Sequence, residues 1–408
     1  MSSEGRSRTA DILSIYVPAF FIFLGMGIVS PILPIYAESF NVDYTMVSLA
    51  ISIYALGRLI VDLPVGVIAD KFGRRPLMIF GTLILTICSF LNASAPNFAI
   101  FLLYRFIEGV GSAMWMTSRT TLLADILKPH ERGRVMSYFQ SFMLIGSAAG
   151  PTVGGIIAVR WGIQAPFYFY ALAGGISLAL TIFLVKEPDN SQNRHHEGSH
   201  FSIPVIKRLL TNRSYMMACL ATLTAFFLMT GIRSTIIPLY ANTELKLGEE
   251  QIGLVLSAAT VMNLLMTVPI GYGLDYYGRK PIIVVSIILA ALACSLFPFT
   301  TSFLTIVVAS VVLGIGTSGA QQAPLAMASD ATINEPHGLS MGVYRFFGDM
   351  GYVIGPIILG LIADRYGLKL PFFFMTGLML ISGLLVFFLA KETFSRRIGE
   401  KPIQTPAE

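Results

Sequence analysis

Apolar runs of about 20 residues recur along the whole chain and alternate with short polar segments. A helix of about that length crosses a hydrocarbon core of about 30 Å, so each run is long enough to span a membrane. The pattern predicts twelve spans, which we number in chain order: 12–36, 44–68, 76–95, 98–124, 135–158, 165–185, 213–240, 249–271, 281–298, 303–328, 339–363 and 370–390. The sequence therefore predicts an all-α membrane protein with twelve transmembrane helices.

The composition supports this prediction, because 54% of the residues are hydrophobic and only 12% are charged. An ordinary soluble domain carries about 25% charged residues. Lys and Arg concentrate in the terminal segments and in alternate loops, which predicts a cell-membrane protein with both termini in the cytoplasm. The net charge of +5 then reflects this topology and the anionic lipid bilayer, and it indicates no nucleic-acid partner.

The chain also matches itself when it is shifted by 205 positions, the distance from Pro64 to Pro269. The shift aligns mainly glycine, proline and charged residues, among them Gly66 with Gly271, Asp70 with Asp275, Arg74 with Arg279, Gly150 with Gly355, Pro151 with Pro356 and Glu187 with Glu392. Glycine and proline fix turns and close helix contacts, so the chain contains two copies of one backbone plan. We predict two six-helix bundles, residues 1–186 and 213–408, joined by a polar cytoplasmic linker at 187–212.

The loop after span two, Gly66–Pro76, contains a glycine, an aspartate and a basic pair at fixed spacing, and Gly271–Pro281 repeats it. This pattern resembles the Gly-x-x-x-Asp-Arg-x-Gly-Arg-Lys signature of the major facilitator superfamily of transporters, with Lys71 at a position where arginine is usual. The resemblance implies that the loops brace the cytoplasmic sides of the two bundles. The residues expected to do so are Gly66, Asp70, Arg74 and Asp275.

Three further motifs are similar to those of exporters in that superfamily. Span five contains Gly146–Gly155, similar to Gly-x-x-x-Gly-Pro-x-x-Gly-Gly, in which Gly150 and Pro151 are expected to form a helix-packing groove and a kink. Span one ends in Leu24–Pro34, similar to Leu-Gly-x5-Pro-x-x-Pro, and Arg105–Gly111 of span four is similar to Arg-x-x-Gln-Gly-x-Gly. Together they resemble the twelve-helix drug–proton antiporters, which implies alternating access between two bundles.

Eight ionisable residues lie inside the predicted spans: Arg58, Asp62, Arg105, Glu108, Arg119, Arg233, Arg345 and Asp349. Each costs about 2.5–3.5 kcal/mol at a helix centre on insertion scales, so these side chains must face a partner or a wet cavity. Six of them form pairs three or four residues apart, which places each pair on one helical face. Local neutralisation within each pair is therefore one interpretation.

A second interpretation pairs the charges of spans two and eleven across the two bundles. Along span two, Asp62 and Arg58 lie about 12 and 18 Å from the loop, at about 1.5 Å per residue. Along span eleven, Arg345 and Asp349 lie about 9 and 15 Å deep by the same rise. These spans face each other in the family's fold, so crossed pairs, Asp62 with Arg345 and Arg58 with Asp349, are expected to close the cytoplasmic side and to separate when the site opens inward.

Glu108 is the expected carrier of the coupling proton, because it occupies the place of a neutral glutamine in the motif and lies near the middle of span four. Burial favours its neutral acid, whereas Arg105 favours the carboxylate, so movement of Arg105 would control the proton. Asp62 and Asp349 remain the rival carriers. Each of these is tied to an arginine of the expected gate.

The family's fold implies a central cavity lined by spans one, four, seven and ten. Residues of these spans that are expected to contact substrate are Phe23, Trp115, Arg119, Phe227, Arg233, Gln321 and Gln322. Aromatic side chains suit an apolar ligand, and the glutamines could orient a polar group. Arg119 and Arg233 leave an anionic ligand open, because an uncompensated guanidinium binds anions.

The leading functional hypothesis is proton-coupled efflux of small lipophilic or amphipathic compounds. The alternative is a symporter or facilitator for a polar or anionic metabolite, favoured by the five intramembrane arginines and by the absence of an acid in span one. An intramembrane aspartyl protease using Asp62 and Asp349 is disfavoured, since Phe347-Gly348-Asp349 lacks the Gly-x-Gly-Asp context.

We therefore expect a monomeric transporter and not an enzyme, with a small-molecule substrate and protons as partners. No cofactor is expected, because no Gly-x-x-x-x-Gly-Lys-Ser/Thr loop for ATP occurs. No metal is expected in the spans. The histidines His195, His196 and His200 of the linker could form a metal-binding tract, but a solvated linker is the favoured interpretation.

Overall fold

The computed structural model describes the backbone of residues 3–126, 132–185, 203–333, 335 and 337–394. Within those ranges, side chains are described except at 3–13, 63, 66–67, 70–71, 124–126, 132–138, 140–141, 203 and 337–338. The histidine tract of the linker, with His195, His196 and His200, lies outside the described residues.

The described chain is helical throughout, as the apolar runs predict. Its α-helices are α1 Ser3–Val29, α2 Leu33–Glu38, α3 Tyr44–Phe72, α4 Arg74–Ala93, α5 Phe98–Ile126, α6 Arg132–Trp161, α7 Ala165–Leu184, α8 Ile203–Thr211, α9 Arg213–Phe227, α10 Ile237–Thr243, α11 Glu249–Tyr277, α12 Arg279–Leu296, α13 Phe303–Ala331, α14 His337–Tyr366 and α15 Leu370–Leu389. A π-helical segment, Leu228–Ile236, joins α9 to α10, and a 3₁₀ turn, Phe297–Phe299, ends α12.

Eleven helical stretches are long and apolar enough to cross a membrane, and Ser14–Val29 of α1 is a shorter apolar helix of the same kind. These twelve correspond to the twelve predicted spans, so the predicted all-α membrane fold is confirmed. Span one corresponds to α1 and most of α2, which a turn at 30–32 separates, and span seven corresponds to α9, the π-helical segment and α10 together. The predicted linker contains one element that its polar composition did not indicate, the short helix α8.

The helices form two groups that follow the two halves of the repeat. In the first half α5 packs on α3 and α4, and α1 packs on α6 and α7. In the second half α13 packs on α11 and α12, and α9 packs on α14 and α15. The two halves meet through only two strongly contacting helix pairs in the described part of the chain, α3 with α14 and α6 with α11.

Small residues allow α1 and α6 to approach closely, as the motif in span five predicts. A Cβ added to Gly150 would lie 2.5 Å from the Cα of Gly27, and one added to Gly154 would overlap with the carbonyl oxygen of Ile28. Any larger side chain would push the helices apart. The close helix contact expected at Gly150 is thus present, whereas Pro151 lies inside helix α6 and its kink stays a prediction.

The bundle has two faces at which its helices begin and end. We call one of them the linker face, because the linker connects the two helix ends there, Leu184 of α7 and Arg213 of α9. The opposite face carries the turns before Tyr44 of α3 and before Glu249 of α11. Helices α3 and α6 cross between these faces in opposite directions, as do α11 and α14.

Candidate functional site

A cavity of about 260 Å³ lies between the two halves. Its lining is apolar with a few charged groups, and it includes Phe23, Met26, Tyr54, Arg58, Arg105, Glu108, Met116, Pro151, Tyr170, Met229, Arg233, Ser234 and Tyr352. Soft methionine and aromatic walls with a few convergent polar groups are typical of a small-molecule site. The cavity thus combines predicted proton, gate and substrate residues.

Glu108 and Arg105 form a buried ion pair at this cavity. Glu108 is 1% exposed, and its Oε2 accepts a hydrogen bond from Arg105 Nη1 at 2.7 Å. Arg105 Nε also donates to the carbonyl of Ala50 at 3.3 Å, and its guanidinium stacks 4.6 Å from the ring of Tyr54. The local pairing that the three-residue spacing suggests is therefore formed.

Asn92 is a third member of this cluster that the sequence interpretation does not include. Its Nδ2 donates to the same oxygen, Glu108 Oε2, at 2.8 Å. The other oxygen, Glu108 Oε1, has no hydrogen-bond partner among the described residues, and neither do the buried hydroxyls of Tyr54 and Tyr170. An amide in the apolar span three is the sequence signal for Asn92, whereas its partner becomes apparent only in the fold.

Arg58 of α3 pairs with Asp349 of α14 across the two halves. The distance from Arg58 Nη2 to Asp349 Oδ1 is 3.5 Å, and both side chains are largely buried. The guanidinium also lies 5.7 Å from the ring centre of Tyr352. One of the two crossed pairs expected from the heights of the charges is therefore present.

The second crossed pair is not formed in this structure, so its role in closing the cytoplasmic side stays a prediction. No ion pair joins Asp62 to Arg345, two residues whose side chains are both described; Asp62 Oδ1 instead accepts from Thr117 Oγ1 at 3.4 Å, and Arg345 is exposed. Helices α3 and α14 run antiparallel, so Asp62 and Arg345 each lie four residues from the Arg58–Asp349 contact, on its linker-face side. Parallel axes would place Asp62 opposite Arg345. Since these two side chains do not pair, the helices diverge toward the linker face.

At the opposite face the two halves are tightly joined. The carboxylate of Asp364 on α14 accepts from the backbone N–H groups of Tyr44 and Thr45 at 2.8 and 2.9 Å, and from the Thr45 hydroxyl. It thus caps the N-terminus of α3, where a negative charge is favourable. Asp364 is not among the sequence-predicted residues, because it follows the apolar run of span eleven and its partner is in the other half.

The second helix pair is closed at the same face. Thr152 of α6 donates to Ser257 Oγ of α11 from its backbone N–H at 3.1 Å and shares a 2.8 Å hydroxyl contact with it. A Cβ on Gly253 would overlap with the carbonyl oxygen of Pro151. By contrast, a Cβ on Gly271 or Gly342, nearer the linker face, would meet nothing within 4 Å. The halves are closed at the opposite face and separated at the linker face.

Arg233 lines the cavity from the π-helical segment, and its Nη2 donates to Thr260 Oγ1 of α11. The two predicted glutamines lie on α13 and are absent from the cavity lining. Gln321 Nε2 lies 3.5 Å from Met229 Sδ, which does line it, whereas Gln322 Nε2 donates to Ser318 on its own helix at 3.2 Å. Of the predicted substrate residues, Phe23 and Arg233 are the two at the cavity wall.

Trp115, Arg119 and Phe227 pack in the interior of the protein and are absent from the cavity lining. Trp115 and Phe227 are 1% and 4% exposed and do not line the cavity. Arg119 is enclosed by aromatic rings, with its guanidinium 4.4 Å from the Trp115 ring centre and 4.5 Å from that of Phe139. Substrate contact by these three residues remains a prediction.

The linker-face motif of the second half forms a network within that half. Arg279 Nε donates to Asp330 Oδ2 at 2.8 Å, and its Nη1 lies 3.5 Å from Asp275 Oδ1. The carboxylate of Glu392 accepts from the first backbone N–H groups of α12, those of Arg279 and Lys280, at 3.0 Å. The side chain of Asp275 is 80% exposed, so it does not brace the two halves here.

In the first half, Arg74 is buried and its Nη1 donates to the carbonyl of Ala69 at 3.0 Å. The predicted residues Gly66 and Asp70 fall outside the described side chains, so their bracing role stays a prediction. Among the described residues no group of three or more metal-ligating side chains occurs.

Comparison with known proteins agrees with this architecture. A family model described as the Major Facilitator Superfamily matches residues 15–248 and 219–406. The quinolone resistance protein NorA of Staphylococcus aureus (strain Mu50) is 25% identical over 386 residues, which cover 94% of this chain and 97% of NorA. The uncharacterized MFS-type transporter MJ1560 of Methanocaldococcus jannaschii is 24% identical over 382 residues, 92% of this chain and 97% of that protein.

Solved structures of transporters have the same fold at low sequence identity. The nucleoside transporter NupG superposes with a TM-score of 0.78 at 14% identity and covers 93% of this chain and 100% of its own. A D-xylose-proton symporter superposes with a TM-score of 0.76 at 15% identity, over 94% of this chain and 98% of its own. These likenesses show the fold alone.

Proposed function

The chain belongs to the Major Facilitator Superfamily and is a multi-pass membrane transporter of small molecules, and from this premise we propose that it exports lipophilic or amphipathic compounds in exchange for protons. The observation that carries the proposal is Glu108, a carboxyl group buried at the cavity between the halves. The exporter-type motifs and the similarity to NorA, whose name refers to quinolone resistance, support the outward direction.

Glu108 has the geometry of a proton carrier. Its Oε2 accepts two hydrogen bonds, from Arg105 and Asn92, which leaves Oε1 as the oxygen that can take a proton. Burial penalises the carboxylate, and Arg105 offsets that penalty. Loss of the Arg105 contact would therefore favour binding of a proton, and its return would favour release of the proton. The rival Asp349 is engaged with Arg58 in a contact between the halves, which suits a conformational role better.

Alternating access is supported by the unequal contacts at the two faces. Asp364 joins α3 to α14 at one face, and Asp62 and Arg345, which do not pair with each other, lie where the same helices diverge. We propose that rocking about the Arg58–Asp349 contact breaks the Asp364 contacts and brings Asp62 to Arg345. The concentration of Lys and Arg near the linker favours a cytoplasmic location for the linker face.

The alternative function, uptake or facilitated passage of a polar or anionic metabolite, retains one supporting observation. Arg233 at the cavity wall has no acidic partner among the described side chains. Such a residue suits an anionic ligand equally well in an importer and in an exporter. The direction of proton-coupled flux separates the two functions.

The test uses the purified full-length protein in liposomes with an imposed pH gradient and a panel of lipophilic compounds. When the outer solution and the liposome lumen differ in pH, we expect the compound to move opposite to the proton flux and to accumulate against its own concentration gradient. The Glu108→Gln variant should lose this driven accumulation but retain exchange of labelled for unlabelled compound. Glutamine preserves the shape and an oxygen acceptor for Arg105 and cannot release a proton.

Glu244→Gln is the matched control, because Glu244 is exposed near the opposite face and does not line the cavity. It should transport like the unmodified protein. Full pH-driven accumulation by Glu108→Gln would refute the assignment of the proton to Glu108. Accumulation in the direction of the proton flux would instead establish the symport alternative.

A further inference from the structure

Arg233 is a charged side chain that the proposed proton and gate chemistry does not use. It lies on the π-helical segment Leu228–Ile236, where the hydroxyls of Ser234 and Thr235 accommodate the widened turn by donating to carbonyls five residues back, at 3.2 and 2.7 Å. Such segments are frequent at functional sites. Arg233 and Ser234 of this segment both line the cavity.

The charges around the cavity do not balance. Arg105 has Glu108 at 2.7 Å, and Arg58 has Asp349 at 3.5 Å. The third guanidinium of the wall, Arg233, has no ion-pair partner among the described residues, and its hydrogen bond goes to the neutral hydroxyl of Thr260. An uncompensated cation in a membrane-embedded cavity is costly, so an incoming monovalent anion would be strongly favoured there.

The chemistry of the remaining donors narrows the ligand. A guanidinium has five N–H donors in a planar fork that matches a carboxylate in two parallel hydrogen bonds. The bond to Thr260 occupies one donor of Nη2. Other residues of the wall, such as Phe23, Met26 and Met229, are apolar and suit an aromatic or aliphatic body. A single excess positive charge suits a carboxylate better than a multivalent phosphate.

We propose that Arg233 is the recognition residue for the carboxylate of an amphipathic organic anion whose apolar body lies against the methionine and aromatic wall. This proposal rests on the proposed transport function and specifies its substrate class. It also assigns separate tasks to the halves, since Glu108 belongs to the first half and Arg233 to the second.

Equilibrium binding to the full-length protein in detergent micelles tests the proposal. The probes are 2-naphthoate and 2-naphthamide, which share an apolar body and differ in charge. We expect naphthoate to bind tighter than the amide by on the order of tenfold to a hundredfold, as for other hydrogen bonds to charged groups. In Arg233→Gln this preference should disappear while the affinity for the amide stays the same.

Arg365→Gln is the control, because it removes one positive charge from an exposed position at the far end of α14. It should retain the full preference for naphthoate. If Arg233→Gln does not yield a folded protein, Arg233→Lys replaces it, and the preference should still fall because an ammonium cannot form the two parallel bonds.

Two results would overturn the assignment: equal binding of naphthoate and the amide to the unmodified protein, or a preference that survives in the Arg233 variants. These outcomes are distinct from failure of the proposed function. Carboxylate binding through Arg233 without pH-driven export would leave the anion site standing and reject the exchange with protons. Proton-driven export of neutral compounds alone, unaffected by substitution of Arg233, would keep the exchange with protons and reject the anion site.

Discussion

The two halves of the protein repeat their backbone-setting residues but differ in their buried charges. The first half carries the Arg105–Glu108 ion pair on α5, whereas the positions 205 residues later on α13 are Ser310 and Leu313, both buried and uncharged. Glycine and proline are preserved by the repeat because they fix the helix contacts. Charged residues that act in only one half have no reason to repeat.

The reverse holds for the helices that begin each half. Arg233 lies in a π-helical segment of the second half, and its counterpart in the first half is Ile28, a buried residue of α1. The comparison suggests that proton binding and substrate recognition were assigned to different halves of one duplicated frame. The matched control variant for a substitution in one half is therefore a substitution at the corresponding position of the other half, or at the other end of the same helix.

The largest effect is expected for the buried ion pair. Arg105→Ala leaves Glu108 with Asn92 as its remaining partner, and breaking a buried pair in this way lowers the free energy of unfolding by about 3–5 kcal/mol. The loss should shrink at acidic pH, because a protonated carboxyl group is cheaper to bury. The midpoint of thermal unfolding in detergent, measured across pH, reports both effects.

The repeat supplies the control for this prediction. Ser310 occupies the position of Arg105 in the second half, is fully buried, and its hydroxyl has no hydrogen-bond partner among the described residues. Ser310→Ala should therefore change the free energy of unfolding by less than about 1 kcal/mol. Equal destabilisation by the two substitutions would show that α5 and α13 are energetically alike and would remove the basis of the comparison.

These contrasts also show what a sequence can predict for this protein. The twelve spans follow from apolar length, and the Arg105–Glu108 pair follows from a three-residue spacing on one helical face. Both depend on local geometry. The contact of Asp364 with Tyr44, the partner Asn92 of Glu108 and the π-helical segment around Arg233 depend on which helices meet, and at what angle, so local patterns do not reveal them.

Glu392 is an intermediate case. The repeat aligns it with Glu187, which marks it as part of the backbone plan, but its role as a cap for the start of α12 needed the fold. The expected gate was half predictable for the same reason. The heights of Arg58 and Asp349 identified a pair that is formed, whereas the separation of Asp62 from Arg345 depends on the angle between the halves.

An intermediate effect is expected at the closed face. Asp364→Asn weakens the charged cap that holds α3 to α14 and should favour opening there by about tenfold, the equivalent of about 1.4 kcal/mol. The measurement is the rate of thiol labelling at Ser48→Cys, a fully buried position next to Gly360, since the three native cysteines are buried. Labelling should accelerate.

Asp43→Asn is the matched control for that face. Asp43 also caps α3, by accepting from the backbone N–H of Met46 at 2.9 Å, but it belongs to the same half as the helix. Asparagine caps helices about as well as aspartate, so labelling at position 48 should not change. Acceleration by Asp43→Asn to the same extent would mean that fraying of α3, and not opening between the halves, controls the labelling.

The smallest effect is expected at the linker face, and it has the opposite sign. Arg345 is exposed here and would gain Asp62 as a partner only when the linker face closes, so Arg345→Gln should favour the arrangement in which that face stays open. An exposed pair contributes about 0.2–1 kcal/mol, which slows labelling at Ser48→Cys by less than about fivefold. Asp62→Asn should slow labelling equally, and the double variant should add nothing further.

Arg365→Gln, at the other end of α14, is the control and should have no effect on labelling. Faster labelling in Arg345→Gln would show that Arg345 stabilises the separated linker face, so the proposed exchange of contacts between the two ends of α3 and α14 would be wrong.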